Sequence, residues 1–147
     1  MASKLTDENS ERAVLDLLDE YYLGFEAKRT GETWLRSFFT EDATVDFPVG
    51  TKHGLAEIAA LQGHTLALWK STLHQLGKRR VRVTGDQASL QATLTATHVH
   101  RDDDPGEHLH IGGYVDTEAR RTPGGWRFTR MAIRLVWTQG DPPTVVE

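Results

Sequence analysis

Residues 85–100 read GDQASLQATLTATHVH, and the alternation inside them decides the fold. Ala88, Leu90, Ala92, Leu94 and Ala96 take every second position, and Ser and Thr fill most of the gaps. Successive side chains of a strand point to opposite faces, so this is a long strand over 87–100 with one face to bury and one to wet. Gly85-Asp86 marks a turn before it, and the charged segment Arg101–Gly106 with Pro105 marks a loop after it.

The same reading extends in both directions. Backwards, residues 72–84 form a strand that ends at the Gly85-Asp86 turn; forwards, 107–121 form another, and Pro123-Gly124-Gly125 turns into a last strand from Trp126 to Trp137. Gly112-Gly113 marks a bend or bulge in a strongly curved strand, because no helix follows it to make a phosphate loop. Long antiparallel strands in sequence curl into an open cone. From about Ser10 to Lys70 the pattern is helical instead, which makes the chain an α+β domain with N-terminal helices closing the mouth of the cone. The first helix runs from near Ser10 to Lys28, with Val14, Leu17, Leu18, Tyr21 and Phe25 as its apolar stripe. Asp7 and Glu8 sit at its expected N-terminus. A short second helix carries Trp34, Leu35, Phe38 and Phe39; Ala43–Phe47 alternates like a strand; a third helix opens after Gly54 and runs through Trp69. Residues 1–9 and 141–147 read as loose ends.

At 147 residues the chain is one domain, with a core spanning about 10–138. Its hydrophobic fraction of 38%, charged fraction of 26% and formal charge of −4 are those of a globular protein without a nucleic-acid-binding face. The one basic run, Lys78-Arg79-Arg80 with Arg82, is the wet side of a strand. There is no cysteine, which excludes disulfides, thiolate nucleophiles and cysteine-ligated metals. No signal-peptide core and no bilayer-length apolar stretch is present, so the expectation is a cytoplasmic protein with no membrane and no nucleic-acid partner.

Five fragments in order, LLDEYYLGFE (17–26), FFTEDATVDF (38–47), LHQLG (73–77), GDQASLQAT (85–93) and GGYVDTEARRTPGGWRF (112–128), resemble the SnoaL-like, polyketide-cyclase and dehydratase-type branch of the nuclear-transport-factor-2-like superfamily. The resemblance covers residues 10–138. It implies a cone-shaped α+β barrel with a deep, water-poor apolar pocket, a homo-oligomeric assembly (dimer or trimer) and no cofactor. Members of the branch include scytalone dehydratase, bile-acid 7α-dehydratase, a hexachlorocyclohexane dehydrochlorinase, isomerases, cyclases and an epoxide hydrolase, besides accessory subunits without chemistry. In the elimination enzymes a carboxylate late in the first helix pairs with a histidine at the start of the first long strand, and a tyrosine about one turn earlier assists.

Those positions are Glu26, His74 and Tyr21, and the residues themselves admit both a catalytic and a plain reading. Glu26 sits at the edge of the buried stripe, in line with Tyr22 and Leu18; a carboxylate there needs a partner, because an unpaired buried charge is expensive. With His74 it would form a general-base dyad in which the carboxylate holds the tautomer and steadies the imidazolium. Without it, Glu26 is an exposed helix glutamate and His74 a core histidine. Relatives mostly carry aspartate here, so the longer glutamate either sets the histidine further back or reaches the substrate itself. Tyr21 would bind a carbonyl or leaving oxygen, or simply fill the core.

His98, His100, His108 and His110 form two His-x-His pairs around the 101–106 loop. In a hairpin they could share one face, which suits zinc or non-haem iron, but no carboxylate accompanies them, and the expectation is no metal, with His98 or His110 as a pocket hydrogen-bonder. Met131 stands where relatives place a cationic arginine, and alternation sends Arg130 and Arg134 to the other face, favouring a neutral, lipophilic ligand. Trp69 and Phe47 are further pocket candidates. The function expected is a small cofactor-independent lyase, isomerase or cyclase acting on a hydrophobic polycyclic or polyketide-like compound. The alternatives are a non-catalytic binding or oligomerisation module and an epoxide hydrolase, the latter short of carboxylates beyond Asp46 and Asp116.

Overall fold

The structure, a computed structural model, describes the backbone of residues 2–144 and the side chains of residues 7–144. Three helices, α1 (Ala2–Glu26), α2 (Glu32–Leu35) and α3 (Gly54–Leu68), lie against one six-stranded sheet built from β1 (Phe39–Phe47), β2 (Gly50–His53), β3 (Trp69–Thr84), β4 (Gln87–His100), β5 (Leu109–Thr122) and β6 (Gly125–Gln139). The strand order is β2-β1-β6-β5-β4-β3. The α+β class and the curved sheet match the expectation, with two differences. The sheet does not close into a barrel, because β3 and β2 remain edges. It is also mixed, since β1 runs parallel to β6 after the chain has crossed over through α3 and three long strands.

Boundaries moved where local signals were weakest. α1 begins at Ala2, so Asp7 and Glu8 lie inside the helix and not at its start. Phe39 opens β1 and Trp69 opens β3, each read from sequence as helical. Both are aromatic residues whose apolar character fits either period.

Register assigns the faces. Ala88, Leu90, Ala92, Leu94 and Ala96 of β4 stand beside Ala119, Thr117, Val115, Gly113 and Ile111 of β5 and form the face under the helices. Val14, Leu18, Tyr21 and Tyr22 of α1, Leu55 and Ile58 of α3, and Phe39, Val45, Phe128 and Met131 of the strands complete the main core there. The glycine pair in β5 does permit the curvature. A Cβ on Gly112 would lie 2.2 Å from the Trp137 ring, one on Gly113 2.1 Å from the Arg134 carbonyl oxygen, and the β5–β6 register slips between the two.

Candidate active site

The end of α1 sets the first site residue. Beyond Glu26 the chain turns through Lys28, whose φ of 64° is left-handed, while Arg29 N–H returns to the Gly24 carbonyl at 2.9 Å. The Lys28 ammonium then caps the Trp69 carbonyl at 3.1 Å. This turn ties the end of the helix to the start of β3, the edge strand. Edge strands carry unpaired backbone N–H groups that need partners. Here the His74 N–H donates to Glu26 Oε2 at 2.5 Å, and the same oxygen lies 3.2 Å from His74 Nδ1.

The two side chains are only 8% (His74) and 16% (Glu26) exposed. An ionised carboxylate can only accept hydrogen bonds, so Nδ1 carries the proton and Nε2 is left with its lone pair. Nε2 makes no hydrogen bond among the described residues. Burial, and secondarily His98, lower the His74 imidazole from its ordinary 6.5 to about 3, which keeps it neutral at neutral pH.

Aromatic rings hold the imidazole in place. Tyr22 stacks on it with centroids 4.6 Å apart, Phe25 meets it edge-on at 5.6 Å, and His98 stands 6.1 Å away. His98 donates from Nδ1 to the Leu109 carbonyl at 3.1 Å, so its Nε2 also keeps a lone pair, and burial lowers its basicity. Trp69 packs against His98 at 4.9 Å. Phe25, Trp69, Leu94 and Ala96 are buried here but lie outside the main core cluster, giving the dyad an apolar surround of its own. A cleft of about 250 Å³ between α1 and β3 reaches the pair, lined by Tyr22, Leu23, Leu76 and the outer Asp19–Arg79 ion pair at 2.9 Å.

The other candidates lie elsewhere. Tyr21 faces the main core, stacked on Trp34 at 5.7 Å, and its hydroxyl accepts from Gln62 Nε2. The reason is helical geometry: five residues before Glu26 is roughly 140° round the helix, four residues only roughly 40°. Tyr22, which the sequence reading passed over, therefore takes the place by the dyad, and its spacing from Glu26 was the available signal.

His110 lies on the opposite face of the sheet, beside Thr97 Oγ1 at 3.1 Å. The register pairs His98 with Leu109 and Thr97 with His110, an odd offset that sends the two His-x-His motifs to opposite faces and undoes the shared face considered above. Among the described residues no three His, Asp or Glu side chains are grouped to hold a metal. Met131 is wholly buried between Val45 and Thr117, part of the core and not of the cleft wall. Phe47 is half-buried on β1, with β6, β5 and β4 between it and the dyad strand. Arg134 does occupy the outer face, paired with Asp116 at 2.5 Å.

The SnoaL-like domain family matches residues 7–132. No curated protein sequence is detectably similar to the chain. Solved structures share the fold. A protein from Kribbella flavida superposes with a TM-score of 0.82 at 21% identity, over 90% of this chain and 94% of its own. A hexachlorocyclohexane dehydrochlorinase from Novosphingobium barchaimii gives 0.77 at 19%, over 90% of each chain. A nuclear-transport-factor-2-like superfamily protein from Salmonella enterica gives 0.75 at 19%, over 95% and 96%.

Proposed function

Because the chain belongs to the SnoaL-like domain family, and because a part-buried carboxylate holds a neutral imidazole with one nitrogen free, we propose that it is a cofactor-independent lyase, isomerase or cyclase. Its substrate is a hydrophobic polycyclic or polyketide-like carbonyl compound. His74 Nε2 takes a proton from the carbon beside the carbonyl, and the C–H electrons pass into the enolate. Glu26 steadies the imidazolium. In a dehydration the enolate re-forms the carbonyl as the β-hydroxyl leaves and recovers the proton as water. In an isomerisation the proton returns to a different carbon.

The observation that carries this reading is the double grip of Glu26 Oε2 on the backbone N–H and on Nδ1 of one residue, which fixes both tautomer and ring plane. The glutamate thus orients the base and leaves proton abstraction to the histidine. The dehydrochlorinase among the fold relatives performs an elimination, which lends support at the level of reaction class. The homo-oligomer belongs to the same proposal, supported by exposed Leu73 and Trp137 on the sheet face that no helix covers. No helix among the described residues is long and apolar enough to cross a membrane.

The test is turnover of lipophilic β-hydroxy ketones and polycyclic enones by wild type, His74→Ala and Glu26→Gln. Loss of turnover in both variants, with circular dichroism unchanged, is the expected result. Ligand binding without turnover in all three proteins would overturn the enzyme reading and leave a binding module.

A further inference from the structure

The basic run Lys78-Arg79-Arg80 departs from the wet side of β3 at one residue. His74 stands opposite Ala96 and Leu76 opposite Leu94, but Arg79 stands opposite Ala92, so β3 advances three steps while β4 advances two. This bulge turns Arg79 to the face that carries His74, while Arg80 and Arg82 stay opposite Gln91 and Ser89 on the open side. Thr93 holds the bulge: its Oγ1 accepts from the Lys78 N–H at 2.9 Å, and a Cβ on Gly77 would run into the same oxygen. On α1, Asp19 lies seven residues before Glu26, about two turns, and so on the same line of the helix. Arg79 Nη1 donates to Asp19 Oδ2 at 3.1 Å, and Nη2 lies 2.9 Å from Oδ1. Both residues line the cleft that reaches the dyad, and Tyr22, Leu23 and Leu76 supply the rest of its wall. The two side chains stay 32% and 38% exposed, and ion pairs that open to water stabilise a fold little. Asp19 engages two of the guanidinium's N–H groups, and the others have no hydrogen bond among the described residues.

We propose that the Asp19–Arg79 pair is a second anchor for the substrate: the guanidinium donates to, and the carboxylate accepts from, a hydroxyl at the end of the molecule remote from the carbon that His74 deprotonates. The assignment rests on the proton-abstraction reading above for the reacting end, and it adds a hydroxylated far end to the substrate class. Charge selects a neutral group. Two carboxylates, Asp19 and Glu26, face one guanidinium while His74 is neutral, so the cleft carries one excess negative charge and repels an anion. A hydroxyl is donor and acceptor at once and meets both halves of the pair. Length agrees. The positions opposite His74 and Arg79, Ala96 and Ala92, are four strand steps apart on β4, about 13 Å. With a hydrogen-bond reach of roughly 3 Å at each end, a fused bicyclic ketone with a hydroxyl on its far ring spans the gap.

The probes are 6-hydroxy-2-tetralone, its 6-methoxy ether, 2-tetralone and 6-carboxy-2-tetralone, with binding read by isothermal titration calorimetry. Wild type should bind the hydroxy ketone about tenfold or more tighter than 2-tetralone, the worth of a hydrogen bond to a charged group, and the carboxylate more weakly than either. The methoxy ether cannot donate to Asp19 and should lose most of the preference. Arg79→Leu and Asp19→Ala should bind the hydroxy ketone and 2-tetralone alike. Turnover is read as deuterium exchange at the α-carbon of the same ketones in D2O. In both variants the KM of the hydroxy ketone should rise about tenfold, to that of 2-tetralone. The proposal is overturned if wild type shows no preference for the hydroxyl, or if the carboxylate is the best ligand. Survival of the preference in both variants would also overturn it, leaving the pair as a tie between α1 and β3. The wild-type comparison of the four probes decides the matter even where a variant does not fold. Absence of exchange by wild type above the buffer rate would sink the proton-abstraction reading instead, and the hydroxyl preference in binding would still decide the role of the pair.

Discussion

At the residue scale the chemistry is concentrated in one carboxylate oxygen. Glu26 Oε2 accepts from the backbone and from the ring of His74, so Glu26→Ala strands an edge-strand N–H in a part-buried place. That should lower unfolding free energy by about 1–3 kcal/mol in urea titration. Glu26→Gln keeps the shape but removes the charge that steadies the imidazolium, and α-deuterium exchange should fall by about 10²–10⁴-fold. The His74 value also sets a pH dependence of stability. Folding lowers its pKa from 6.5 to about 3, so between these values the unfolded chain binds a proton that the folded chain does not. Stability contributed by neutral His74 is therefore complete above pH 6.5 and drains away as pH falls towards 3, by up to about 1.4 kcal/mol per pH unit. Urea midpoints across that range should slope less steeply in His74→Gln than in wild type.

Glycines divide the elements into tight and slack ones. In β5 a Cβ on Gly113 would meet a backbone carbonyl at 2.1 Å, and backbone cannot swing aside as a side chain can. Gly113→Ala should cost about 1–3 kcal/mol, read as a lower thermal midpoint. Gly63, inside α3, has nothing within 4 Å of its would-be Cβ and no positive φ. Gly63→Ala should raise the midpoint by the equivalent of about 0.5–1 kcal/mol, since alanine loses less backbone entropy in a helix. Opposite signs from the same substitution would show that the strained curvature lies in the sheet and not in the helices. This element scale was the most legible from sequence. The period-two run in 87–100 and the turns at Gly85-Asp86 and Pro123-Gly124-Gly125 located β4, β5 and β6 closely. Phe39 and Trp69 were assigned to helices because a single bulky residue at a junction carries no period.

At the scale of the whole molecule, helices cover one face of the sheet and leave the other open, with Leu73 55% and Trp137 45% exposed among charged pairs such as Arg134–Asp116. If the molecule self-associates through this face, Leu73→Lys with Trp137→Lys should shift the species seen in sedimentation velocity to the monomer. The dyad lies across the sheet from that face and its deuterium exchange should survive. An unchanged sedimentation coefficient would place any oligomer contact elsewhere.

What the sequence by itself determined is everything governed by near neighbours along the chain. Alternation made β4 a two-faced strand, the three-and-four spacing gave α1 its buried stripe, and both follow from backbone periods that every stretch of chain obeys. Glu26 and His74 could be singled out by spacing and resemblance. Tertiary structure alone decided which groups meet. The 3.2 Å approach of Glu26 to His74 joins residues 48 positions apart and depends on where α1 ends over an edge strand. The separation of His98 from His110 depends on a one-residue matter of register between β4 and β5, which flips a side chain to the other face. The parallel pairing of β1 with β6 depends on a crossover through most of the chain. Such contacts are set by packing the whole sheet against the helices, and no local pattern encodes them.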